Sequence, residues 1–452
     1  MFRNFKILAF FAMMIFLIPS VQGMFLPNPF FDAPSYLDTL EEGPYWRELI
    51  NVDMPLRKYD QFISNIIATS NGDLLFVGTD SIYQGYNEEG VSEYSRHGYI
   101  ARMTKDGQLV WESLIGDGLE FFDCEEVCDD RYLVLGRDIN NDKSEVVLLA
   151  FDENGTVLWK RTIESETDDS AFRMAWDGGT NVYLAGFSDT DEGYDGLFIK
   201  IDTEGNVIWK KTYDDGDHEV FTEIALSSDG NVVLVGTKKR LEFLPITTHL
   251  YSQALVVSCN AQGDLRWAVS QGFDGDYTVP TDLEIGSDGT IAITGRVIYG
   301  EMHDILSMLM DLDGNLIDCK SYPGLYEYDD YGYDIIELEP GTFFVFGESF
   351  RIIVSEKDPM LWWYVSDSFY SRIDENGEIE LVSTFFGDAP ASSMYRSTPH
   401  SSCIDQDGRI FLIMSSWGDY EVYTLSLLGD SIIILDKIAG QEFPSWRENL
   451  IN

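Results

Sequence analysis

Seven copies of one sequence unit, each about fifty residues long, predict an all-β protein: a seven-bladed β-propeller with four antiparallel strands per blade. Each copy contains four short runs in which apolar residues alternate with polar ones, which is the period of β-strands and not of helices. One four-stranded sheet cannot cover both of its faces, so the copies are expected to stack face to face around an axis.

Three columns of residues keep the copies in register. The first is the glycine of the turn before the fourth strand, and the second is a glycine near the end of the second strand. The third lies four residues past the turn glycine and is tryptophan in four copies, which we interpret as a packing contact repeated between blades. The turn glycines are Gly107, Gly155, Gly205, Gly263, Gly314, Gly377 and Gly429. The second column comprises Gly78, Gly136, Gly186, Gly236, Gly295 and Gly347, with Met414 in the seventh copy. The tryptophans are Trp111, Trp159, Trp209 and Trp267.

The chain is predicted to have three parts. Residues 1–23 resemble a secretory signal peptide, because Arg3 and Lys6 precede an apolar stretch and a small-residue exit; retention as a membrane anchor is the alternative. Residues 24–44 carry three prolines and are predicted to be a linker or a strap along the rim. Residues 45–452 form the propeller, and the sequence leaves open which terminus closes the ring. The blades are expected at 61–118, 119–165, 166–217, 218–275, 276–324, 325–390 and 391–440.

The charge of the chain limits its partners. With 78 acidic and 30 basic residues, the formal net charge is -48. Such a surface repels nucleic acid and anionic membranes, so neither is expected as a partner. Once the signal peptide is removed, no transmembrane segment is predicted. The protein is therefore expected to be secreted or to lie in the cell envelope.

The two ends of the predicted propeller differ. In an up-and-down sheet, the first and third connections lie on one face, and here they are short, uniform turns. The second connections and the crossovers between blades lie on the opposite face. That face is predicted to carry long irregular loops at 79–97, 237–252 and 348–366. A binding site is expected on this loop-bearing face.

Aromatic residues in these loops are candidates for ligand binding. Exposed rings beside carboxylates suit stacking on a sugar ring or gripping a peptide. The alternative is that the loops fold back and bury their rings against the propeller. The candidates are Tyr83, Tyr86, Trp362, Trp363, Tyr364 and Trp417.

Acidic residues in the crossovers are candidates for metal binding. Carboxylates that converge near the axis could hold calcium, which takes six to eight oxygen ligands. The alternative is that they are solvated turn residues. Calcium is the one cofactor that the sequence suggests, and no other cofactor is predicted. The candidates are Asp214, Asp215, Asp217, Asp274 and Asp276.

Five cysteines are predicted to be small buried side chains. Cys124 and Cys128 lie on one predicted strand, where four residues span about 13 Å, beyond the reach of a disulfide. No zinc-ligand spacing is present. The other three are Cys259, Cys319 and Cys403.

Three segments carry a resemblance to known proteins. IDTEGNVIWKKTY, FDENGTVLWKRT and ARMTKDGQLVWESLIG resemble the repeats of secreted bacterial β-propeller proteins. They are also similar to the tryptophan-docking blades of quinoprotein propellers. The resemblance covers about residues 61–440 and implies the propeller fold. The Asp-to-Gly spacing is one residue shorter than in quinoproteins and three copies lack the tryptophan, so no active-site residue is transferred.

The sequence favours a binding protein over an enzyme. We expect an exported binding or scaffold module that engages a polysaccharide, a peptide or a cell-envelope partner through the loop-bearing face. No phosphate-binding loop, Gly-x-Ser-x-Gly elbow or His-Glu-x-x-His motif occurs. The alternative is a carbohydrate-acting enzyme that uses paired carboxylates at the mouth of the channel.

Overall fold

The computed structural model describes most of residues 61–439. None of the described residues forms a helix, so this part of the chain offers no apolar helix of membrane-spanning length. The all-β prediction is confirmed there. The predicted signal peptide, the linker and both chain ends lie outside the described residues. Also outside are 87–91, 129–130, 141–143, 192, 244–247, 274–276, 301, 327, 355–361, 385–396, 417–418 and 429–430.

The described strands follow one another in consecutive groups of four, which we number 1 to 7. Group 1 comprises β1 (Gln61–Ala68), β2 (Leu74–Tyr86), β3 (Ser92–Met103) and β4 (Leu109–Ile115). Group 2 comprises β5 (Leu119–Cys128), β6 (Arg131–Asp138), β7 (Glu145–Asp152) and β8 (Val157–Ile163). Group 3 comprises β9 (Asp168–Trp176), β10 (Asn181–Asp189), β11 (Tyr194–Asp202) and β12 (Val207–Tyr213).

The remaining groups repeat this pattern. Group 4 comprises β13 (His218–Leu226), β14 (Val232–Phe243), β15 (Thr248–Cys259) and β16 (Leu265–Gln271). Group 5 comprises β17 (Tyr277–Ile285), β18 (Ile291–Tyr299), β19 (Met302–Met310) and β20 (Leu316–Tyr322). Group 6 comprises β21 (Asp330–Glu339), β22 (Thr342–Val354), β23 (Trp362–Ile373) and β24 (Ile379–Thr384). Group 7 comprises β25 (Ser397–Ile404), β26 (Ile410–Ser416), β27 (Asp419–Leu428) and β28 (Ser431–Ala439).

Hydrogen bonding arranges these groups into six sheets within the described residues. Five groups form separate four-stranded antiparallel sheets, whereas groups 4 and 5 belong to one eight-stranded sheet. The join is a single parallel pair between Ser252 of β15 and Tyr277 of β17. The predicted four-stranded antiparallel unit is therefore confirmed, but the sheet pattern does not confirm the predicted count of seven separate blades.

A bulge in the first strand explains the second glycine column. In β13, Phe221 pairs with Gly236, and the pairing resumes at Glu223. The intervening Thr222 bulges out of the ladder and brings backbone close to the second strand. A Cβ atom at Gly236 would lie 1.9 Å from the carbonyl oxygen of Val220, so only glycine fits. The first strand of each other group has an irregularity at the same place.

The tryptophan column packs one group against the next. Trp209 of β12 covers the turn glycine Gly263 of group 4, where a Cβ atom would come within 2.8 Å of the ring. In group 5, Asp318 takes the place of the ring against Gly377. The predicted packing role of the tryptophans is confirmed. The other pairs are Trp111 with Gly155, Trp159 with Gly205 and Trp267 with Gly314.

The stack of groups closes on itself. Each group shares a buried apolar cluster with the next one along the chain. Ile63 and Phe76 of group 1 in turn share a cluster with Phe411 of group 7. The Ser401 hydroxyl of group 7 donates a hydrogen bond to the Asn65 side-chain oxygen of group 1 over 2.8 Å. A closed stack of antiparallel sheets around an axis is a β-propeller.

The predicted long loops are largely β-hairpins. Residues 79–97, 237–252 and 348–366 mostly extend the second and third strands of groups 1, 4 and 6. The prediction of irregular structure was wrong there, because cross-strand pairs such as Tyr83 with Tyr94 continue the ladder past the body of the sheet. We call this end of the propeller the hairpin face and the opposite end the turn face.

The cysteines differ in exposure. All five are free, and Cys124 and Cys259 are buried as predicted. Cys319 and Cys403 are partly buried. The prediction was wrong for Cys128, which is exposed because it is the last residue of β5, where the strand leaves the sheet.

Candidate functional site

The aromatic residues predicted to bind a ligand lie on two different hairpins. Tyr83 and Tyr86 belong to β2 of group 1, and residues 362–364 open β23 of group 6. Their role in binding stays a prediction. The candidates Trp417, Asp274 and Asp276 lie outside the described residues.

The crossover between β12 and β13 holds the other predicted metal ligands. The Lys238 ammonium pairs with Asp215 and lies 3.4 Å from Asp217, so these two carboxylates already have a counter-ion. Asp214 instead groups with Asp195 of β11 and Glu219 of β13. Three of the predicted residues are thus neighbours in the structure, but only Asp214 converges with two further carboxylates.

Asp195, Asp214 and Glu219 form the group of carboxylates most suited to a metal ion in the described part of the chain. One oxygen from each lies within 4.8 Å of the other two. Glu219 is fully buried, and neither of its carboxylate oxygens accepts a hydrogen bond of normal geometry from the described residues. Burial raises the pKa of Glu219 to about 7.

A second acidic site lies on the propeller axis. Each first strand contributes the residue at which pairing resumes after its bulge, and these residues line one cavity of about 220 Å³. Because the first strands run from the hairpin face towards the turn face, the cavity lies in the turn-side half of the axis. The seven residues, in group order, are Asn65, Asp123, Arg173, Glu223, Asp282, Asp334 and Ser401.

Three of these carboxylates join one group to the next. Asp123 accepts a hydrogen bond over 2.7 Å from the backbone N–H of Met174 in group 3. Asp282 accepts one over 2.7 Å from the backbone N–H of Ile335 in group 6. Asp334 bonds in the same way to group 7. These side chains therefore fix the spacing of the first strands around the axis.

The cavity also contains an ion pair and two further glutamates. Arg173 Nε lies 2.7 Å from Glu223 Oε1. Glu125 and Glu284 line the cavity two residues beyond Asp123 and Asp282 and are half-buried. Burial, followed by the neighbouring aspartates, raises the pKa of Glu125 and that of Glu284 to about 8.

The lining is strongly acidic as a whole. Arg173 is the lone positive group among the described lining residues, because burial lowers the pKa of His400 to about 4 and leaves its ring neutral. Crowded carboxylates in a concave site attract cations and hold protons when no cation is present. The carboxyl groups are Asp123, Glu125, Glu223, Asp282, Glu284 and Asp334.

Sequence reasoning did not find this cavity, although a signal is present. Each first strand carries a polar residue directly after its bulge, as Asp123 does in Leu119–Cys128. The column emerges only when the strands are aligned on their bulges. The sequence placed the expected site at the hairpin face, whereas the cavity lies towards the turn face.

Comparison with known proteins adds the following. No protein-family model and no curated protein matches the sequence. Solved structures with some likeness include a protein of unknown function from Bacteroides caccae, 14% identical, with a TM-score of 0.37 over 63% of this chain and 89% of that one. The β-propeller domain of the Trilobed protease from Pyrococcus furiosus is 10% identical, with a TM-score of 0.45 over 84% of this chain and 96% of that one.

A third similar structure is an α-L-arabinofuranosidase from Fusarium graminearum. It is 13% identical, with a TM-score of 0.40 over 67% of this chain and 92% of that one. Similarities at this level do not identify the function of this chain.

Proposed function

We propose that this chain is an exported, seven-bladed β-propeller that acts as a binding module and takes up a cationic group in its acidic axial cavity. The observation that carries this proposal is the lining of six carboxyl groups against one guanidinium. The blade count is supported by groups 4 and 5, each of which keeps its own bulge and its own turn glycine. Their eight-stranded sheet is then two blades that touch at one residue pair. Export is supported by the pattern of residues 1–23.

The size of the cavity narrows the choice of ligand. Its volume of about 220 Å³ is below the roughly 300–1,000 Å³ of pockets that bury drug-sized molecules. An oligosaccharide would not fit inside it. The described cavity carboxylates also do not converge tightly enough to ligate a bare metal ion, unlike Asp195, Asp214 and Glu219. A lysine or arginine side chain of a peptide partner suits both the charge and the size.

The test is calorimetric titration with a lysine-rich peptide and its lysine-acetylated form. We expect the charged peptide to bind and the acetylated one not to. Affinity should increase as the pH rises from 6 to 9, because Glu125 and Glu284, with pKa values of about 8, must lose their protons to pair with a cation. Glu284→Gln should weaken binding by about tenfold. Glu375→Gln, at an exposed turn residue, is the matched control. Equal binding of both peptides would refute the proposal.

An enzyme that cleaves glycosides is the second candidate. It is favoured by the protonation pattern of neighbouring carboxyl groups, since the pKa of Glu284 is about 8 and that of Asp282 about 6. A protonated and an ionised carboxyl side by side are what acid–base cleavage of a glycoside needs. The check is hydrolysis of a panel of chromogenic glycosides by wild type and by Glu284→Gln. If the wild-type protein turns over none of them, this candidate is rejected.

We further propose that calcium binds to Asp195, Asp214 and Glu219 near the hairpin face. The buried Glu219 carboxylate, with a raised pKa and without a hydrogen-bond donor of normal geometry in the described residues, supports this assignment. Asp195→Asn should abolish the binding of calcium in a calorimetric titration. Asp215→Asn should leave it unchanged, because Asp215 is already paired with Lys238.

A further inference from the structure

Arg296 of β18 is a buried arginine with no counter-ion in the described part of the chain. Its exposed fraction is 1%, in the hairpin-side half of group 5. All three guanidinium nitrogens are shielded from solvent, and none has a hydrogen-bond partner among the described residues. Within the described residues, the group therefore has no protein acceptor to replace its lost hydration.

Burying the Arg296 guanidinium without an acceptor destabilises the folded protein when no ligand is bound. A guanidinium carries a positive charge and offers only hydrogen-bond donors, so it needs acceptors around it. Leaving one charge buried and unpaired costs several kcal/mol. The guanidinium carbon lies 5.2 Å from the centre of the Tyr331 ring, but a cation–π contact is weaker than an ion pair in a buried site. The ring offsets a part of the cost and supplies no negative charge.

Two basic side chains lie near Arg296, and neither supplies a counter-charge. Burial, and then the charge of Arg296, lowers the pKa of Lys239 to about 7. His303 packs edge-on against Tyr331 with 5.1 Å between ring centres, and its Nδ1 has no partner among the described residues. A buried arginine usually forms a structural ion pair with a carboxylate. Here no described carboxylate meets the guanidinium.

The same position in group 2 shows what is missing. Arg137 follows its column glycine in β6 as Arg296 does in β18, and its Cα is paired with that of Glu120. The Arg137 guanidinium meets the Glu120 carboxylate over 2.5 Å. In group 5 the residue opposite Arg296 is Val279. The carboxylate that neutralises the arginine in group 2 is thus replaced by an apolar side chain.

We infer that Arg296, with Lys239 close by, binds a small oxyanion that takes the place of the missing carboxylate. The shared chemistry of the ligand is a phosphate, sulfate or carboxylate group, which a guanidinium binds through paired N–H donors. The site lies in the hairpin-side half of the propeller, apart from the acidic cavity in the turn-side half. It does not depend on the function proposed for that cavity.

The experiment measures the melting temperature of the whole protein with sodium phosphate, sodium sulfate or sodium glucuronate, each against sodium chloride at equal ionic strength. A ligand that binds only the folded state raises the melting temperature and saturates with concentration. We expect a saturating rise with at least one of the three anions, and the comparison among them identifies the ligand group. A rise that grows without saturation and equally in all variants is the general effect of excluded salts and would overturn the inference.

Two variants assign the effect to Arg296. Arg296→Met should lose the anion response and melt no earlier than wild type in chloride, because it removes an unpaired charge. Arg137→Met, the matched control, should keep the response. If Arg296→Met responds like wild type, or lowers the melting temperature in chloride with the anion response intact, Arg296 is structural and the inference fails.

Val279→Glu tests the same idea without removing the arginine. It places a carboxylate opposite Arg296 as Glu120 stands opposite Arg137, so the internal ion pair should displace the external anion. We expect at least a tenfold loss of anion affinity in a folded protein. A Val279→Glu variant that binds the anion as wild type does would contradict the inference, and this readout decides the matter if Arg296→Met fails to fold.

Discussion

Groups 2 and 5 place an arginine at the same point of the same backbone, yet they treat its charge differently. Arg137 meets Glu120, a fully buried carboxylate that also pairs with Arg96. Arg296 faces Val279 and has no acceptor among the described residues. The repeated backbone therefore gives the two arginines equivalent positions. The residue opposite each arginine on the neighbouring strand decides whether its charge is paired within the chain or by a ligand.

The largest expected effect comes from making group 2 resemble group 5. Glu120→Val should lower the free energy of unfolding by about 3–5 kcal/mol, because it removes the buried carboxylate with which both Arg137 and Arg96 pair. Urea unfolding measures the change. Adding Arg137→Met to Glu120→Val should recover part of the loss. A loss below about 1 kcal/mol would mean that water reaches both guanidinium groups, and the contrast between the two regions would weaken.

A smaller effect is expected from the tryptophan docking contact, which groups 2 and 5 both have. Gly155→Ala and Gly314→Ala each place a Cβ about 2.7 Å from a docked tryptophan ring, at φ values of 76° and 85°. Both should lose about 1–2 kcal/mol, and by equal amounts if the docking contact is the same in groups 2 and 5. Gly230→Ala, at φ 80° with nothing within 4 Å, gives the backbone strain alone. Equal losses at all three positions in denaturant unfolding would show that the ring contact contributes nothing.

The smallest effect is electrostatic and local. Burial first and Arg296 second lower the pKa of His303 to about 4, whereas burial is the cause of the same pKa at His400. Removing the charge in Arg296→Met should therefore raise the pKa of His303 and leave that of His400 unchanged. Titration of the imidazole protons by NMR measures both values in one sample. An unchanged His303 pKa would show that Arg296 does not act on its surroundings as a bare charge.

Much of the fold could be predicted from the sequence because backbone geometry restricts which residue types fit at certain positions. The turn glycines have positive φ, as Gly205 does at 77°, and the tryptophans pack on the next group, so both columns reflect steric needs of single positions. The hairpins, such as the one at 79–97, were harder to predict from the sequence. Their polar and glycine-containing sequence is typical of loops, and a sequence does not show which residues pair across the hairpin, as the backbones of residues 83 and 94 do.

The candidate sites were less predictable, for a physical reason. Asp123 and Asp282 lie at matching places in their strands, but their meeting on the axis depends on how far each bulge shifts its strand. Arg296 stands out in the sequence as a charge between Gly295 and Val297. That it lacks a counter-ion depends on which residue lies across from it, which a sequence read along one strand does not show.

The contact between the first and last groups has a consequence for the order in which the protein matures. Ser401 and Asn65 are separated by 336 positions, so the apolar side of group 1 stays uncovered until the last group has been synthesised. Closing so distant a contact is slow. A chain whose ring closes only after its final strands arrive stays incompletely folded while it is made, and an incompletely folded polypeptide is easier to thread through a narrow translocation pore.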